Sequence, residues 1–164
     1  MESWWRWLYD TDLAVAMREN EVLFPWIEAI HVVALTVVLG AIAVLDLRLL
    51  GLASRARSLP KLLRDVLPIT WAAFVVAAIT GVLLFASNAV AYAHNTCFQW
   101  KVFLLGLIGL NAAVFHALVE PSLARWDPSR ALPTRARLSG ALSITLWIGV
   151  TALGRWIGFT INAL

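Results

Sequence analysis

The sequence predicts an all-α integral membrane protein, a four-helix bundle with a short N-terminal interfacial helix and both termini on the outer side of the membrane. Of its 164 residues, 61% are hydrophobic and only 14% charged, and the mean hydropathy is +0.79. Four apolar stretches are long enough to cross a bilayer, and basic residues concentrate between them. This composition excludes a soluble enzyme and predicts a single transmembrane domain over residues 1–164.

The N-terminal segment, about residues 3–20, is predicted to lie in the membrane interface rather than to cross the membrane. It mixes tryptophan and leucine side chains with the charges of Asp10, Asp12 and Arg18, which is typical of an amphipathic surface helix. Glu2 stands where a secretory signal would carry basic residues, so no signal peptide is predicted and the first span is expected to be retained.

Four spans are predicted after this segment, each near the roughly 17 to 25 residues that a bilayer core requires. Pro25 and Pro68 suit a first helical turn, where no backbone donor is needed, and Pro121 is expected to end the third span. The predicted spans are residues 25–50, 68–91, 100–120 and 137–160.

The orientation follows from the Lys and Arg residues, which stay on the cytoplasmic side when they lie near span ends. Nine of the 13 fall on one side of the predicted bundle and four on the other. The nine are Arg48, Arg55, Arg57, Lys61, Arg64, Arg125, Arg130, Arg135 and Arg137, and the four are Arg6, Arg18, Lys101 and Arg155. We therefore expect a multi-pass protein of the bacterial inner membrane with periplasmic N and C termini.

Polar side chains of the four spans are predicted to converge in the outer third of the membrane. The rise of a helix places His31, Lys101 and Arg155 about 25 to 28 Å above the inner ends of their spans. Thr80 and Ser87 share one face of the second span, and His94 continues it if that helix is unbroken. The predicted pocket near the periplasmic face comprises Glu28, His31, Ser87, Asn88, His94, Lys101 and Arg155.

Each member of this pocket also has a structural interpretation. Glu28 and Arg155 can form an interhelical ion pair, and Lys101 can extend toward the interface. His94 can be a solvated loop residue. His31 is either a ligand or a packed imidazole whose nitrogens are satisfied by hydrogen bonds, one of which can be donated to Glu28.

His116 belongs to a different level of the predicted bundle. It lies four residues before Glu120, so its depth is about 19 Å from that of His31. Two axial ligands of one haem must lie at nearly the same height, which argues against a haem held between His31 and His116. His116 and Glu120 share a helix face and are expected to join Asp46 and Arg48 in an inner polar cluster of structural function.

Several short strings carry a family resemblance over nearly the whole chain. They are Glu28-x-x-His31, Gly40, Asp46-Leu-Arg-Leu-Leu-Gly51, Lys101 at a helix start, Leu110-Asn-x-x-x-Phe-His116 and Gly154-Arg-Trp156. The chain resembles an uncharacterised group of small bacterial four-helix membrane proteins. Through its early-helix His and its Lys at a helix start it more distantly resembles the membrane region of copper-resistance D-type proteins, which implies a possible role in metal handling.

Three hypotheses for the function follow. In the first, the pocket binds a b-type haem for electron transfer, with His31 and His94 as axial ligands, Arg155 or Lys101 on the propionates, and Glu28 beside them. In the second, His31, His94 and Cys97 bind copper. In the third, the protein is an accessory or structural subunit that binds lipid, quinone or a larger membrane complex, or forms a homo-oligomer, and it has no chemistry of its own. The lipid bilayer is the expected partner and nucleic acid is not.

Overall fold

The computed structural model describes residues 2–53, 58–123 and 132–161. The described part of the chain is helical, without strands. Its helices in order are α1 (Glu2–Tyr9), α2 (Asp12–Glu19), α3 (Leu23–Leu49), α4 (Leu59–Ser87), α5 (Ala89–His94), α6 (Thr96–Val114), α7 (Glu120–Leu123) and α8 (Thr134–Thr160). A π-helical turn, Phe115–Val119, joins α6 to α7, so that Thr96–Leu123 is one long helix.

Four of these helices are long and apolar enough to cross a membrane: α3, α4, the Thr96–Leu123 helix and α8. Each has 27 to 29 residues, or about 40 Å of helix, against a hydrocarbon core of about 30 Å. Large apolar side chains such as Val33, Ile79, Phe103 and Ile148 cover their outer faces. An apolar surface of this extent is suited to lipid rather than water. The predicted four spans are therefore present as helices.

The helices are arranged in a ring in which α4 packs on α3, α3 on α8 and α8 on α6. Aromatic rings bridge the remaining side, between α4 and the third long helix: Phe85 stacks on Phe98 with centroids 5.0 Å apart, and Trp71 lies 6.5 Å from His116. We call the end where α3 and α6 begin the N-terminal end of the bundle, and the other the opposite end.

The apolar core is densest at the opposite end, and this explains where α4 begins. The helix starts at Leu59, nine residues before the predicted start near Pro68, which lies inside it. Leu59, Leu62 and Leu63 are buried in a cluster with residues of α3 and the π turn. Their burial stabilises two extra turns, and a proline within a long apolar helix is tolerated where neighbouring helices support it.

The third long helix also extends beyond its predicted limits, from Thr96 to Leu123 rather than from 100 to 120. In the π turn the Glu120 amide donates to the Phe115 carbonyl, five residues back. Pro121 follows this π turn as the second residue of α7 and does not end the helix as predicted. α3 and α8 begin two and three residues earlier than predicted, at Leu23 and Thr134.

The N-terminal segment consists of two short helices rather than one. The first ends at Tyr9, and Thr11 caps α2 by accepting a hydrogen bond from the Ala14 amide. Ala14 and Met17 are buried against the bundle, and Arg18 donates to the Ser87 carbonyl at 3.3 Å and to the Tyr9 carbonyl at 2.7 Å. The segment is thus docked on the N-terminal end of the bundle. Of the residues used for orientation, Arg55, Arg57, Arg125 and Arg130 lie outside the described residues.

Candidate functional site

His31 is held at the α3–α4 interface by a hydrogen bond between its Nδ1 and the Thr80 hydroxyl, 2.9 Å long. The Thr80 hydroxyl donates its own proton to the Val76 carbonyl, one turn earlier, at 2.7 Å. With that proton on the Val76 carbonyl, the Thr80 oxygen accepts from Nδ1–H of His31, and the lone pair of the neutral imidazole then lies on Nε2. The Ala77 carbonyl, which also accepts from the Thr80 hydroxyl at 3.2 Å, interacts with the ring as well.

Gly81 provides the space that the imidazole occupies. A Cβ atom at this position would lie 3.1 Å from Cε1 of His31, 3.7 Å from Nδ1 and 3.9 Å from Nε2. The ring is packed against the backbone of α4 just after Thr80. Thr80 and Gly81 therefore fix the direction and the position of the His31 ring together.

Lys101 brings a positive charge to the same site from α6. Its ammonium acts electrostatically on the His31 imidazole. Its Nζ lies 3.6 Å from the place that a Cβ of Gly154 would occupy, so the side chain runs along the α8 backbone where α8 has no side chain. Within the described part of the chain no carboxylate pairs with Lys101. Each of the four long helices thus contributes one residue to the site: His31, Thr80, Lys101 and Gly154.

The remaining predicted pocket residues have other neighbours. Ser87 donates its hydroxyl to the Leu84 carbonyl, and Asn88, with φ −146° and ψ 51°, ends α4 and is exposed. Because the helix breaks there, His94 does not continue the Thr80 face. It is exposed at the end of α5, with its Nδ1 2.9 Å from the carbonyl oxygen of Val90.

The predicted ion pair between Glu28 and Arg155 is not formed. Arg155 is exposed and its guanidinium lies over the Phe159 ring, 5.0 Å from the centroid. Glu28 is exposed and interacts electrostatically with Tyr92 of α5. Burial raises the pKa of the Tyr92 phenol, and the negative charge of Glu28 raises it further. Among the described residues, no three His, Cys, Asp or Glu side chains are grouped closely enough to bind a metal ion.

An aromatic cluster covers this end of the bundle. Phe85 contacts three other rings at centroid distances of 5.0 to 6.2 Å: Trp5 of α1, Tyr92 of α5 and Phe98 of α6. Asn95, which directly follows His94, is buried and joins this end to α8. Its Nδ2 donates to the Thr160 hydroxyl at 2.9 Å, and its Oδ1 caps α6 by accepting from the Phe98 amide.

Among the described residues, members of the predicted inner cluster form two pairs, one between His116 and Glu120 and one between Asp46 and Ser143. His116 Nδ1 lies 2.6 Å from a carboxylate oxygen of Glu120, one turn away across the π turn. Asp46 is buried and bonds to the Ser143 hydroxyl of α8. Its Oδ2 is buried without a hydrogen-bond partner among the described residues. Asn111 and Ser139 bond to each other between α6 and α8.

Comparison with known proteins gives one match. Residues 19–160 match the model of a family described as a family of unknown function, DUF6644. The predicted membership of an uncharacterised family is therefore confirmed. No curated protein and no solved structure matches the chain.

Proposed function

The chain belongs to the family of unknown function DUF6644, and we propose that it binds a b-type haem at His31 for electron transfer. The observation that carries the proposal is the His31–Thr80 hydrogen bond, which commits the Nδ1 proton and leaves Nε2 as a free lone pair. Lys101 is the counterpart for an acidic group of the same ligand.

The chemistry of His31 and Lys101 indicates which kind of ligand the site would bind. A neutral imidazole whose Nδ1–H is held by a hydrogen bond is the usual state of a histidine that binds a metal through Nε2. The cation of Lys101, without a carboxylate among the described residues, favours an anionic group nearby. A ligand that meets both needs is a Lewis acid that also carries carboxylates. Haem, with its iron and two propionates, is such a ligand and supplies one-electron redox chemistry when bound.

The described residues supply one imidazole for this haem rather than the two expected from the sequence. His94 stands exposed on α5 with Nδ1 turned to its own helix, and His116 is paired with Glu120 at the opposite end. Arg155 lies over Phe159, so Lys101 is the residue that we assign to the propionates. The copper hypothesis has less support, because no three His, Cys, Asp or Glu side chains of the described residues are grouped closely enough to bind a metal ion.

The membrane location belongs to the same proposal. Four apolar helices suggest a multi-pass membrane protein, and four crossings would return the chain to the side on which it starts. The distribution of Lys and Arg supports a bacterial inner membrane with periplasmic termini. The His31 site would then open near the periplasmic face. The distant resemblance to copper-resistance D-type proteins remains a prediction.

Visible spectra of the oxidised and dithionite-reduced protein, purified in detergent from haem-replete cells, test the proposal. We expect sharp bands that change on reduction in the wild type and in His94→Ala, and their loss in His31→Ala. Thr80→Val should keep the fold but reduce the bound fraction, because the ring loses its acceptor. A colourless wild-type protein, or full haem occupancy in His31→Ala, would contradict the assignment. A parallel thermal unfolding curve shows whether each variant folds.

A further inference from the structure

A lipid-facing groove runs between α3 and α8 on the surface of the bundle, away from His31. Its volume is about 490 Å³, and its walls are apolar side chains, among them Leu39, Ile42 and Ala43 of α3 and Ile148 and Ala152 of α8. Trp147, which is buried in the core with Val38 and Val150, also lines it. The lining residues of α8 extend from Ile144 to Arg155, which is about 16 Å along the helix.

Arg155 gives this groove one charged end. It is the only charged residue among the groove's lining residues, and it stands at the N-terminal end of the bundle, where α8 approaches its last turn. In the described part of the chain it is exposed, lies over the Phe159 ring and has no carboxylate partner. A guanidinium at the rim of an apolar groove matches an amphipathic anion whose charge lies at one end and whose chain lies along the groove.

We propose that this groove binds an anionic phospholipid, with one acyl chain between α3 and α8 and the phosphodiester on Arg155. Arg presents two parallel N–H donors that fit two phosphate oxygens. The groove runs from Arg155 toward the middle of the bundle, the direction in which an acyl chain leaves its headgroup. A neutral quinone would contact the apolar walls of the groove but would not interact with the charge of Arg155.

A second groove of the molecule provides an internal comparison. It lies between α3 and α4, has a volume of about 480 Å³ and is lined by residues such as Trp26, Ile30, Ala72 and Val76. No charged residue lines it. Because the two grooves are alike in size and apolar character, a lipid that prefers the α3–α8 groove for its headgroup must be recognised through Arg155.

The lipid site and the His31 site are built by different faces of α8. Gly154 lies against Lys101, whereas Arg155 lines the groove between α8 and α3. Loss of haem would therefore leave lipid binding intact, and loss of lipid selectivity would leave the His31–Thr80 hydrogen bond intact. The two proposals can fail independently.

Native mass spectrometry of the detergent-purified protein with dioleoyl-phosphatidylglycerol and dioleoyl-phosphatidylcholine, which share the same chains, tests the lipid site. We expect the anionic lipid to bind about fivefold more tightly, the effect of about one arginine at an anionic membrane surface. Arg155→Gln should remove this preference. Ala152→Phe, which fills the groove, should reduce binding of the anionic lipid at least as much, whereas Ala72→Phe in the other groove should leave it unchanged.

Three results would overturn the proposal. They are an undiminished preference in Arg155→Gln, equal losses in Ala152→Phe and Ala72→Phe, and displacement of the bound lipid by an equimolar isoprenoid quinone. Arg155→Lys distinguishes charge from geometry: partial retention of the preference is expected, because Lys keeps the charge but lacks the paired donors. Circular dichroism of each variant confirms that the helices are formed before the lipid measurement.

Discussion

Gly140 sets the distance between α3 and α8, and Gly140→Ala tests how closely these helices pack. A Cβ atom at this position would lie 3.0 Å from Cβ of Leu49, 3.2 Å from the Asp46 carbonyl oxygen and 3.5 Å from Cα of Asp46. Carbon atoms pack best at about 3.5 to 4.0 Å. The Leu49 contact is thus short by at least about 0.5 Å, and most of the opposing atoms belong to the backbone of α3.

The cost follows from what would have to move. Leu49 is buried in the core cluster of the opposite end with Leu59 and Phe115, so a shift of α3 also disturbs its neighbours. Overpacking of this kind costs about 1 to 3 kcal/mol. Replacing glycine by alanine within a helix returns about 0.5 to 1 kcal/mol. Gly140→Ala should therefore lower the free energy of unfolding by up to about 2.5 kcal/mol.

Gly158→Ala is the matched control, because Gly158 lies on the same helix with no atom within 4 Å of its added Cβ. It should raise the free energy of unfolding by about 0.5 to 1 kcal/mol. Reversible unfolding of both variants in mixed detergent micelles, followed by circular dichroism, gives the comparison. The expected gap between them is about 1 to 3 kcal/mol, since the helix propensity cancels. Equal stabilities, or a more stable Gly140→Ala, would refute the close packing.

Three further outcomes are expected. Gly81→Ala should displace the His31 ring, because its Cβ would lie 3.1 Å from Cε1. The visible spectrum of the folded variant should then show weaker haem bands, whereas the spectrum of Gly40→Ala should be unchanged. Asn95→Ala should lower the free energy of unfolding by about 1 to 3 kcal/mol, through loss of a helix cap and of the bond to Thr160; an unchanged melting curve would contradict this. Because the pKa of Tyr92 is raised, the folded protein retains a proton that the unfolded chain loses. The contribution of Tyr92 to the free energy of unfolding is full below about pH 10 and is lost as the pH rises through its pKa in the folded state. Tyr92→Phe should flatten that alkaline loss in a pH series of unfolding curves.

The sequence predicts the long helices of this fold well because length and apolar content are local properties. Their limits depend on packing, and there the prediction differs from the structure. Pro68 suits a helix start, but the burial of Leu59 and Leu62 adds two turns before it. Pro121 suits a helix end, but the π turn shifts the hydrogen bonds so that a proline can follow. Neither effect is visible in a single stretch of sequence.

Spacing along a helix predicts the depth of a polar side chain but not its direction. The rise per residue places His31 and Lys101 at one level, and in the structure the charge of Lys101 acts on the His31 imidazole. Spacing does not predict which residue of α8 faces this site, because Gly154 and Arg155 are neighbours that point about 100° apart. The prediction that places His94 in the pocket requires one helix to continue through Asn88, where the backbone leaves the helix. Asn95 did carry a signal, since Asn before a long apolar run is a typical helix cap.

The most extensive packing joins helices that are consecutive in the chain, α3 with α4 and the Thr96–Leu123 helix with α8. During synthesis the first pair can enter the bilayer as a helical hairpin before the second pair exists. His31 and Thr80 belong to the first hairpin, whereas Lys101 and Gly154 belong to the second. The imidazole is therefore oriented as soon as the first hairpin forms, but its cation arrives only when the second docks. A chain in which only the first hairpin is inserted would therefore have an oriented His31 but an incomplete site.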